Sequence, residues 1–324
     1  MTGSLPHLAG RPWVVFVARR AARLALSLGV VLTASFAMIR LVPGDPVRAA
    51  LGVDAAPALV AERRHQLGLD TPFLTQYRHA VGDLVHGDLG ISLVTGTPVA
   101  ELVRTRLPAT LEIAGLAFLV TLAVALPCGL LAAVHLRDGW RPRTELAFTA
   151  TTAALAGVPD FVLAAGLTAL LAVGLRLLPV AGAAGASSFV LPVLALSLAP
   201  TAVLMRLVRA EALKVLSEDW TRTARSKRLS PARRYLRHAA PNMATAALTV
   251  AGGLLPAMIA GTVLVEKVFA WPGIGSALAQ SVIAQDYPVV QAMVLVLGTT
   301  VLLGSLLVDV LLAVLDPRSA IRES

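Results

Sequence analysis

The side chains that could perform chemistry are few in this sequence, and they do not form a catalytic pattern. The single cysteine, Cys128, excludes an intrachain disulfide and a cysteine-based metal site. None of the three lysines is followed by Ser or Thr, so the chain contains no P-loop that could bind ATP. Neither a His-Glu-x-x-His zinc motif nor a Gly-x-Ser-x-Gly nucleophile motif occurs. We therefore predict a non-catalytic chain that binds no cofactor or metal of its own.

Two acidic residues stand out because each interrupts a long apolar stretch. Placing an acidic side chain inside a membrane segment costs free energy, so such a residue is by default a functional candidate. Asp160 and Asp309 are the two candidates of this kind. Asp160 follows Pro159, however, where backbone groups freed by the proline need partners. Asp309 lies close to the polar residues 316–318. Structural hydrogen bonding is favoured for both acids, and lining a pathway or transferring protons are the alternatives.

The composition is that of a helical membrane protein. Of the 324 residues 56% are apolar and 15% are charged, and the mean hydropathy is +0.76. Soluble domains have about 25% charged residues. Aromatic residues make up only 5%, and the apolar content is mainly Ala, Leu and Val, as in bilayer helices rather than in membrane barrels with aromatic girdles. The expected fold class is an all-α polytopic membrane protein.

Six apolar stretches are long enough to cross a membrane. A helix needs about 20 apolar residues to span roughly 30 Å of hydrocarbon. The stretches lie at residues 24–39, 113–136, 146–175, 189–205, 239–265 and 288–315. We predict six transmembrane helices, of which the third is broken only by Asp160.

The distribution of basic residues predicts the orientation. Of the 28 basic residues, 19 lie before the first span, after the sixth, or in the connections that follow the second and fourth spans. By the positive-inside rule, both termini are expected to be cytoplasmic.

This topology divides the chain into four parts. Residues 1–42 form a cytoplasmic N-terminus and the first helix, and residues 43–108 form an extracytoplasmic domain. Residues 109–315 form a membrane core that includes the cytoplasmic segment 206–238, and residues 316–324 form a cytoplasmic tail. In the extracytoplasmic domain we expect a helix over 57–67, a second helix that starts after Pro98, and three solvated histidines: His65, His79 and His86.

The cytoplasmic segment 206–238 has the features of a docking element. The sequence predicts two short helices, one capped by residues 217–219 and one by Ser230-Pro231, with a basic break between them. Ordinary positive-inside charge and binding to lipid headgroups or nucleic acid are the alternatives. Docking to a cytoplasmic partner is favoured, because headgroup attraction alone requires no pair of capped helices.

Short motifs along nearly the whole chain form a specific combination. In order, they are Leu41-Val-Pro-Gly-Asp-Pro46, Leu67-Gly-Leu-Asp-Thr-Pro72, Gly87-Asp-Leu-Gly90, Arg106-Leu-Pro-Ala-Thr-Leu-Glu112, Phe269-Ala-Trp-Pro-Gly-Ile-Gly275, Asp286-Tyr-Pro-Val-Val-Gln291 and Leu315-Asp-Pro-Arg318. Together they resemble the permease subunits of bacterial ABC importers for dipeptides and oligopeptides, whose relatives carry nickel and glutathione. The long segment after the first span resembles that of the first of the two paired permeases. The resemblance implies a type I ABC importer permease fold in the bacterial cell membrane.

The cytoplasmic segment resembles the coupling helix through which such permeases contact their ATPases. The similar motif is Arg222-Thr-Ala-Arg-Ser-Lys-Arg228. The resemblance implies ATPase coupling through residues 217–236, chiefly Asp219, Trp220, Arg222, Thr223, Ala224, Arg225, Lys227 and Arg228. The family pattern has Gly where Arg228 stands and Pro where Ala246 stands. Because Gly readily ends a helix in a left-handed conformation, we expect a different helix exit here.

The resemblance also implies a set of partners. These are a second permease that forms a heterodimer with this chain, two cytoplasmic ABC ATPase domains that bind ATP and Mg, and an extracytoplasmic solute-binding protein that delivers peptide. We expect no nucleic-acid partner, and Glu112, Asp160 and Glu266 are the candidates for lining the substrate pathway. The alternatives are an importer of nickel or glutathione and an ion-coupled secondary transporter. The last predicts paired membrane acids or two related halves, and the sequence has neither.

Overall fold

The computed structural model describes residues 11–41, 46–52, 54–66, 70–136, 142–227, 230, 231 and 233–315. Within these ranges the chain is helical apart from connecting segments and one isolated antiparallel bridge between Ile91 and Pro98. The first helices are α1 (Arg11–Leu41), α2 (Pro46–Leu51), α3 (Pro57–Gln66), α4 (Phe73–Val85) and α5 (Val99–His135). They are followed by α6 (Pro142–Gly157), α7 (Asp160–Leu167), α8 (Val190–Ser217), α9 (Asp219–Ser226), α10 (Ala240–Val268), α11 (Ile274–Ile283) and α12 (Tyr287–Leu315). The predicted all-helical fold class is confirmed.

The apolar helices account for the predicted membrane spans. Within the described ranges, five are long and apolar enough to cross a bilayer, at Ala18–Ala37, Val99–His135, Ala186–Ser217, Ala246–Val268 and Tyr287–Leu312. A bent pair formed by α6 and α7 adds a sixth crossing if the pair counts as one span. The chain is therefore a multi-pass membrane protein.

The predicted third span, residues 146–175, is not one continuous helix, which corrects the expectation of a span interrupted only by Asp160. α6 ends at Gly157, α7 begins at Asp160, and the two helices meet at an angle of 103°. The break lies at Val158-Pro159, where Pro159 is extended with φ −60° and ψ 145°. Proline has no N–H to continue the helix, and its ring disfavours helical geometry at the residue before it. Beyond α7 the chain forms a π-helical turn over Thr168–Gly174.

Helix α5 is longer than the predicted second span. The helix expected after Pro98 is present, but it continues through Pro108 and becomes the membrane span without a break. The predicted boundary between the extracytoplasmic domain and the membrane core, at residue 108, thus falls inside one helix. The helix expected over 57–67 is confirmed as α3.

Small residues bring α5, α8 and α10 into close contact. A Cβ at Gly129 of α5 would lie 2.6 Å from Cγ1 of Val208 on α8, so only glycine allows this approach. Alanines from the three helices pack in one apolar cluster, among them Ala133, Ala212 and Ala247. Close packing over small side chains is the usual way in which membrane helices associate, since lipid provides no hydrophobic drive between them. The many alanines of the sequence thus allow these helices to pack closely.

The first and last long helices are joined by an ion pair. Arg20 of α1 contacts the carboxylate of Asp309 on α12. Further along the same pair of helices, Gly298 makes room for Val31, whose Cγ1 would lie 3.0 Å from a Cβ at that position. A structural partner therefore accounts for Asp309, as the sequence favoured.

A buried aspartate fastens the segment before α5 to the turn between α11 and α12. Ser92 Oγ donates to Asp286 Oδ2 at 2.5 Å, and the Leu93 backbone N–H donates to Oδ1 at 3.0 Å. Asp286 is only 3% exposed. We call these three residues the Asp286 clamp. It joins the residues just after the motif Gly87-Asp-Leu-Gly90 to the first residue of the motif Asp286-Tyr-Pro-Val-Val-Gln291, almost 200 positions further along the chain.

The Asp286 clamp generates a stability prediction. Asp286→Ala leaves the buried Ser92 hydroxyl and the partly buried Leu93 N–H without this acceptor, and an unpaired buried donor costs about 1–3 kcal/mol. Ser92→Ala removes one donor and leaves the Leu93 bond in place, so its effect should be smaller. Thermal unfolding of the detergent-purified chain should give a melting temperature that falls in the order wild type, Ser92→Ala, Asp286→Ala. The control is Asp83→Asn on exposed α4, and equal melting temperatures for Asp286→Ala and this control would contradict the clamp.

Candidate functional site

The predicted coupling segment contains one short helix between two membrane helices. α8 ends at Ser217, Glu218 is extended with ψ 154°, and α9 runs from Asp219 to Ser226. Asp219 lies in the first turn of α9, where its negative charge favours the positive end of the helix dipole. The Ser217 hydroxyl donates back to the Lys214 carbonyl of α8 at 2.7 Å.

The second predicted helix of this segment is part of a longer one. Ser230 acts as the expected N-cap, since its Oγ accepts from the Arg233 N–H at 3.4 Å. A π-helical turn over Arg233–Ala239 then leads directly into α10. The two helices are therefore α9 and the first turns of a continuous membrane helix.

α9 has a buried side and an exposed side. Thr221 and Ala224, three positions apart, are buried, whereas Asp219 and Ser226 are exposed, as is Lys227 directly after the helix. Arg228 and the side chains of Trp220, Arg222, Thr223 and Arg225 lie outside the described residues. The described part of the coupling segment thus presents charged residues of both signs at its two ends.

The helices that flank α9 are packed against each other. Val215 and Leu216 at the end of α8 belong to the same apolar cluster as Ala239 and Met243 at the start of α10. A displacement of α9 would therefore act on α8 and α10 together, because tightly packed interiors transmit strain.

A cavity lies at the bend between α6 and α7. Its volume is about 410 Å³, and its lining is Ala156, Gly157, Val158, Pro159, Asp160, Phe161, Ala199, Gly261 and Leu264. The lining comes from the bend itself, from α8 and from α10. Of the three predicted pathway residues, only Asp160 lines this cavity.

Glu266 occupies a different environment, at the meeting point of three helices. It is 0% exposed. Thr110 Oγ1 of α5 donates to Glu266 Oε1 at 2.7 Å, and the Ser276 N–H of α11 donates to Oε2 at 3.0 Å. Both carboxylate oxygens are therefore used in joining α10 to α5 and α11. Glu112, the third candidate, lies exposed on α5.

The connection between α10 and α11 is fitted around Glu266. The Trp271 N–H donates to the Glu266 carbonyl at 2.8 Å, and the indole Nε1 donates to the Ala109 carbonyl at 3.1 Å. A Cβ at Gly273 would overlap the Glu266 carboxylate. We call Thr110, Glu266, Trp271 and Gly273, together with the Ser276 N–H, the Glu266 junction.

Sequence reasoning identified Glu266 but missed its partners. The signal was available, because Arg106-Leu-Pro-Ala-Thr-Leu-Glu112 contains Thr110, and Phe269-Ala-Trp-Pro-Gly-Ile-Gly275 contains Trp271 and Gly273 and ends directly before Ser276. Nothing in the sequence, by contrast, pointed to Ala199 and Gly261 as neighbours of Asp160. Ala199 and Gly261 line the cavity only because α8 and α10 pack beside the bend between α6 and α7.

Comparison with known proteins identifies the family. Residues 125–321 match the family described as the binding-protein-dependent transport system inner membrane component, and residues 13–114 match its N-terminal counterpart. The chain belongs to this permease family. The family expected from the motifs is thereby confirmed, and with it the function of an ABC transporter permease subunit.

The permease is similar to curated relatives over almost its whole length. The glutathione transport system permease protein of Escherichia coli strain K12 is 36% identical over 304 residues, which cover 93% of this chain and 97% of the relative. The corresponding protein of Shigella flexneri serotype 5b gives the same values. A protein of Brucella abortus strain 2308 that is named a peptide transport system permease is 36% identical over 312 residues, covering 93% of this chain and 98% of the relative.

The Glu266 junction predicts that Gly273→Ala destabilises the permease. The added methyl group would overlap the Glu266 carboxylate, and overpacking of this kind costs about 1–3 kcal/mol. Gly253→Ala in α10 is the matched control, because its Cβ would meet no atom within 4 Å. Thermal unfolding in detergent should show a lower melting temperature for Gly273→Ala, and an equal or higher one for Gly253→Ala. A Gly273→Ala variant as stable as this control would contradict the junction.

Proposed function

We propose that the permease forms half of the translocation pathway of an ATP-driven importer for dipeptides and oligopeptides. The observation that carries this proposal is the 36% identity, over more than nine tenths of both chains, to permeases named for peptide and glutathione transport. Glutathione, itself a tripeptide, is the second candidate substrate because the Escherichia coli and Shigella relatives bear its name. Both substrates share amide bonds, a free α-amino group and carboxylates.

The assembly that we propose contains four kinds of component. This permease pairs with a second permease, two cytoplasmic ABC ATPase domains bind ATP and Mg, and an extracytoplasmic solute-binding protein delivers the substrate. The permease itself is non-catalytic and has no cofactor and no nucleic-acid partner. It lies in the bacterial cell membrane with both termini in the cytoplasm, an orientation supported by the excess of basic residues in the connections assigned to that side.

Coupling to the ATPases is proposed to run through residues 217–236. Asp219, Trp220, Arg222, Thr223, Ala224, Arg225, Lys227 and Arg228 supply the contact. Support comes from the position of α9 between α8 and α10, whose ends share one apolar cluster. Closure of the ATPases would displace α9 and thereby move the two membrane helices that help line the bend cavity.

The composition of the assembly is the first expectation to test. Tagged permease purified from its native membrane in mild detergent should retain a second permease, P-loop ATPases and a solute-binding protein, all identified by mass spectrometry. The ligand carried by the binding protein should be a small peptide or glutathione. Recovery of this chain without an ATPase, even after crosslinking, would contradict the importer and favour the ion-coupled alternative.

The coupling segment predicts a separable loss of function. Arg222→Glu together with Arg225→Glu should abolish ATP-driven uptake in proteoliposomes while the membrane fold stays intact. The introduced carboxylates would be repelled by an ATPase surface that is complementary to the arginines. The matched control is Arg222→Lys with Arg225→Lys, which keeps both charges and should retain most of the uptake. Full uptake by the glutamate variant would show that the ATPases bind elsewhere.

A further inference from the structure

The cavity at the bend between α6 and α7 contains a single charged group. Among the described residues that line it, Asp160 carries a carboxylate and the other side chains are uncharged. No lysine or arginine belongs to this lining. The cavity lining is therefore mainly apolar and carries one carboxylate. Small-molecule sites commonly combine an apolar lining with a few polar groups that orient the ligand.

Asp160 differs from the acids that join packed helices in having no protein partner among the described residues. Across the described part of the chain, Glu266, Asp286 and Asp309 each have a hydrogen bond or an ion pair. No described residue donates a hydrogen bond to Asp160 or forms an ion pair with it. An uncompensated carboxylate at membrane depth is costly, so a partner that arrives from outside the chain would relieve that cost.

The two helix ends that meet at the bend do not cancel the charge of Asp160. The N-terminus of α7 carries about half a positive charge and the C-terminus of α6 about half a negative one. Because both ends lie at the same break, these contributions oppose each other and the full negative charge of the carboxylate sets the sign. The site therefore favours a cation.

Gly261 leaves space beside the carboxylate. A Cβ at this position on α10 would lie 3.1 Å from Asp160 Oδ2 and 3.3 Å from Leu196 Cδ1. Any larger side chain at position 261 would thus restrict the access of a ligand to the Asp160 carboxylate. The absence of a side chain keeps the carboxylate accessible from the cavity.

We propose that Asp160 and the bend cavity bind the protonated amino group of the transported substrate. The inference rests on the proposed function, since a peptide or glutathione carries such a group. The ammonium would contact the Asp160 carboxylate, and the apolar part of the ligand would pack on Phe161 and Leu264. A volume of about 410 Å³ is in the range of known small-molecule sites, roughly 300–1,000 Å³.

The test compares substrates with and without a free amine in the whole assembly. Proteoliposomes that contain both permeases, the ATPases and the binding protein take up labelled trialanine or glutathione, each as the free amine and as the N-acetylated form. The ratio of the two uptake rates is measured in wild type, Asp160→Asn and Asp160→Glu. Because the binding protein is the same throughout, its own preference cancels when the ratios are compared.

We expect Asp160→Asn to lower the preference for the free amine about tenfold, as loss of one charge-assisted hydrogen bond would. Asp160→Glu should retain part of the preference, and stimulation of ATP hydrolysis by the binding protein should be unchanged in both variants. Glu101→Gln, which removes an exposed acid far along α5 from the cavity, is the matched control and should leave the ratio as in wild type. A purely structural Asp160 would not shift this ratio.

Gly261→Ala provides a second test that keeps the charge. This variant should reduce uptake of the substrate with a free amine without reducing ATP hydrolysis stimulated by the binding protein. If Asp160→Asn fails to assemble, Gly261→Ala becomes the test of the amine site. An unchanged ratio in Asp160→Asn, or normal uptake by Gly261→Ala, would overturn the amine site while leaving the importer in place. Failure of the wild-type assembly to take up either compound with ATP would overturn the proposed function and the amine site together.

Discussion

The hydrogen bonds of the Glu266 carboxylate are the interaction on which the arrangement of the core depends. A carboxyl group with no solvent exposure is tolerated in an apolar bundle only when its oxygens are paired. Thr110 and the Ser276 N–H supply that pairing from α5 and α11, so one side chain of α10 fixes the positions of two other helices. The indole of Trp271 adds a bond to the Ala109 carbonyl, next to Thr110. The chain can therefore turn sharply after α10 without leaving polar groups unpaired.

The same requirement explains the other polar contacts between distant parts of the chain. Asp309 is neutralised by Arg20, and this pair joins the two ends of the chain across α1 and α12. Asp286 accepts two hydrogen bonds and so ties the α11–α12 turn to the residues that precede α5. Between these fixed points the helices approach over glycine and alanine, as at Gly129 and Val208. Polar anchors set the register, and small residues determine how closely the helices pack.

The sequence predicted the helices better than their junctions. Apolar stretches about 20 residues long identified the membrane helices, because the bilayer imposes a length that composition alone reveals. Hydropathy could not predict the bend at Val158-Pro159, since apolar residues continue on both sides of it. It also could not show that α5 is continuous through Pro108, because a proline is compatible with either a kink or a break. Asp160 was identified from its cost, but its neighbours Ala199 and Gly261 come from distant helices and carry no local signal.

The break between α6 and α7 leaves backbone groups without helical hydrogen bonds, which would be unfavourable in a helix that faces lipid. At Pro159 the backbone leaves the helix, so carbonyl groups lose their partners in a region without water to replace them. Such a break is tolerated only where protein or a water-filled cavity surrounds it, and the structure places a cavity lined by α8 and α10 there. These two helices also flank α9, the segment through which we propose that the ATPases act. Because α8 and α10 extend from α9 to the bend cavity, a movement of their ends at α9 would be transmitted along them to the cavity walls. Asp160, which has no partner among the described residues, therefore lies where coupling and substrate passage would have to meet.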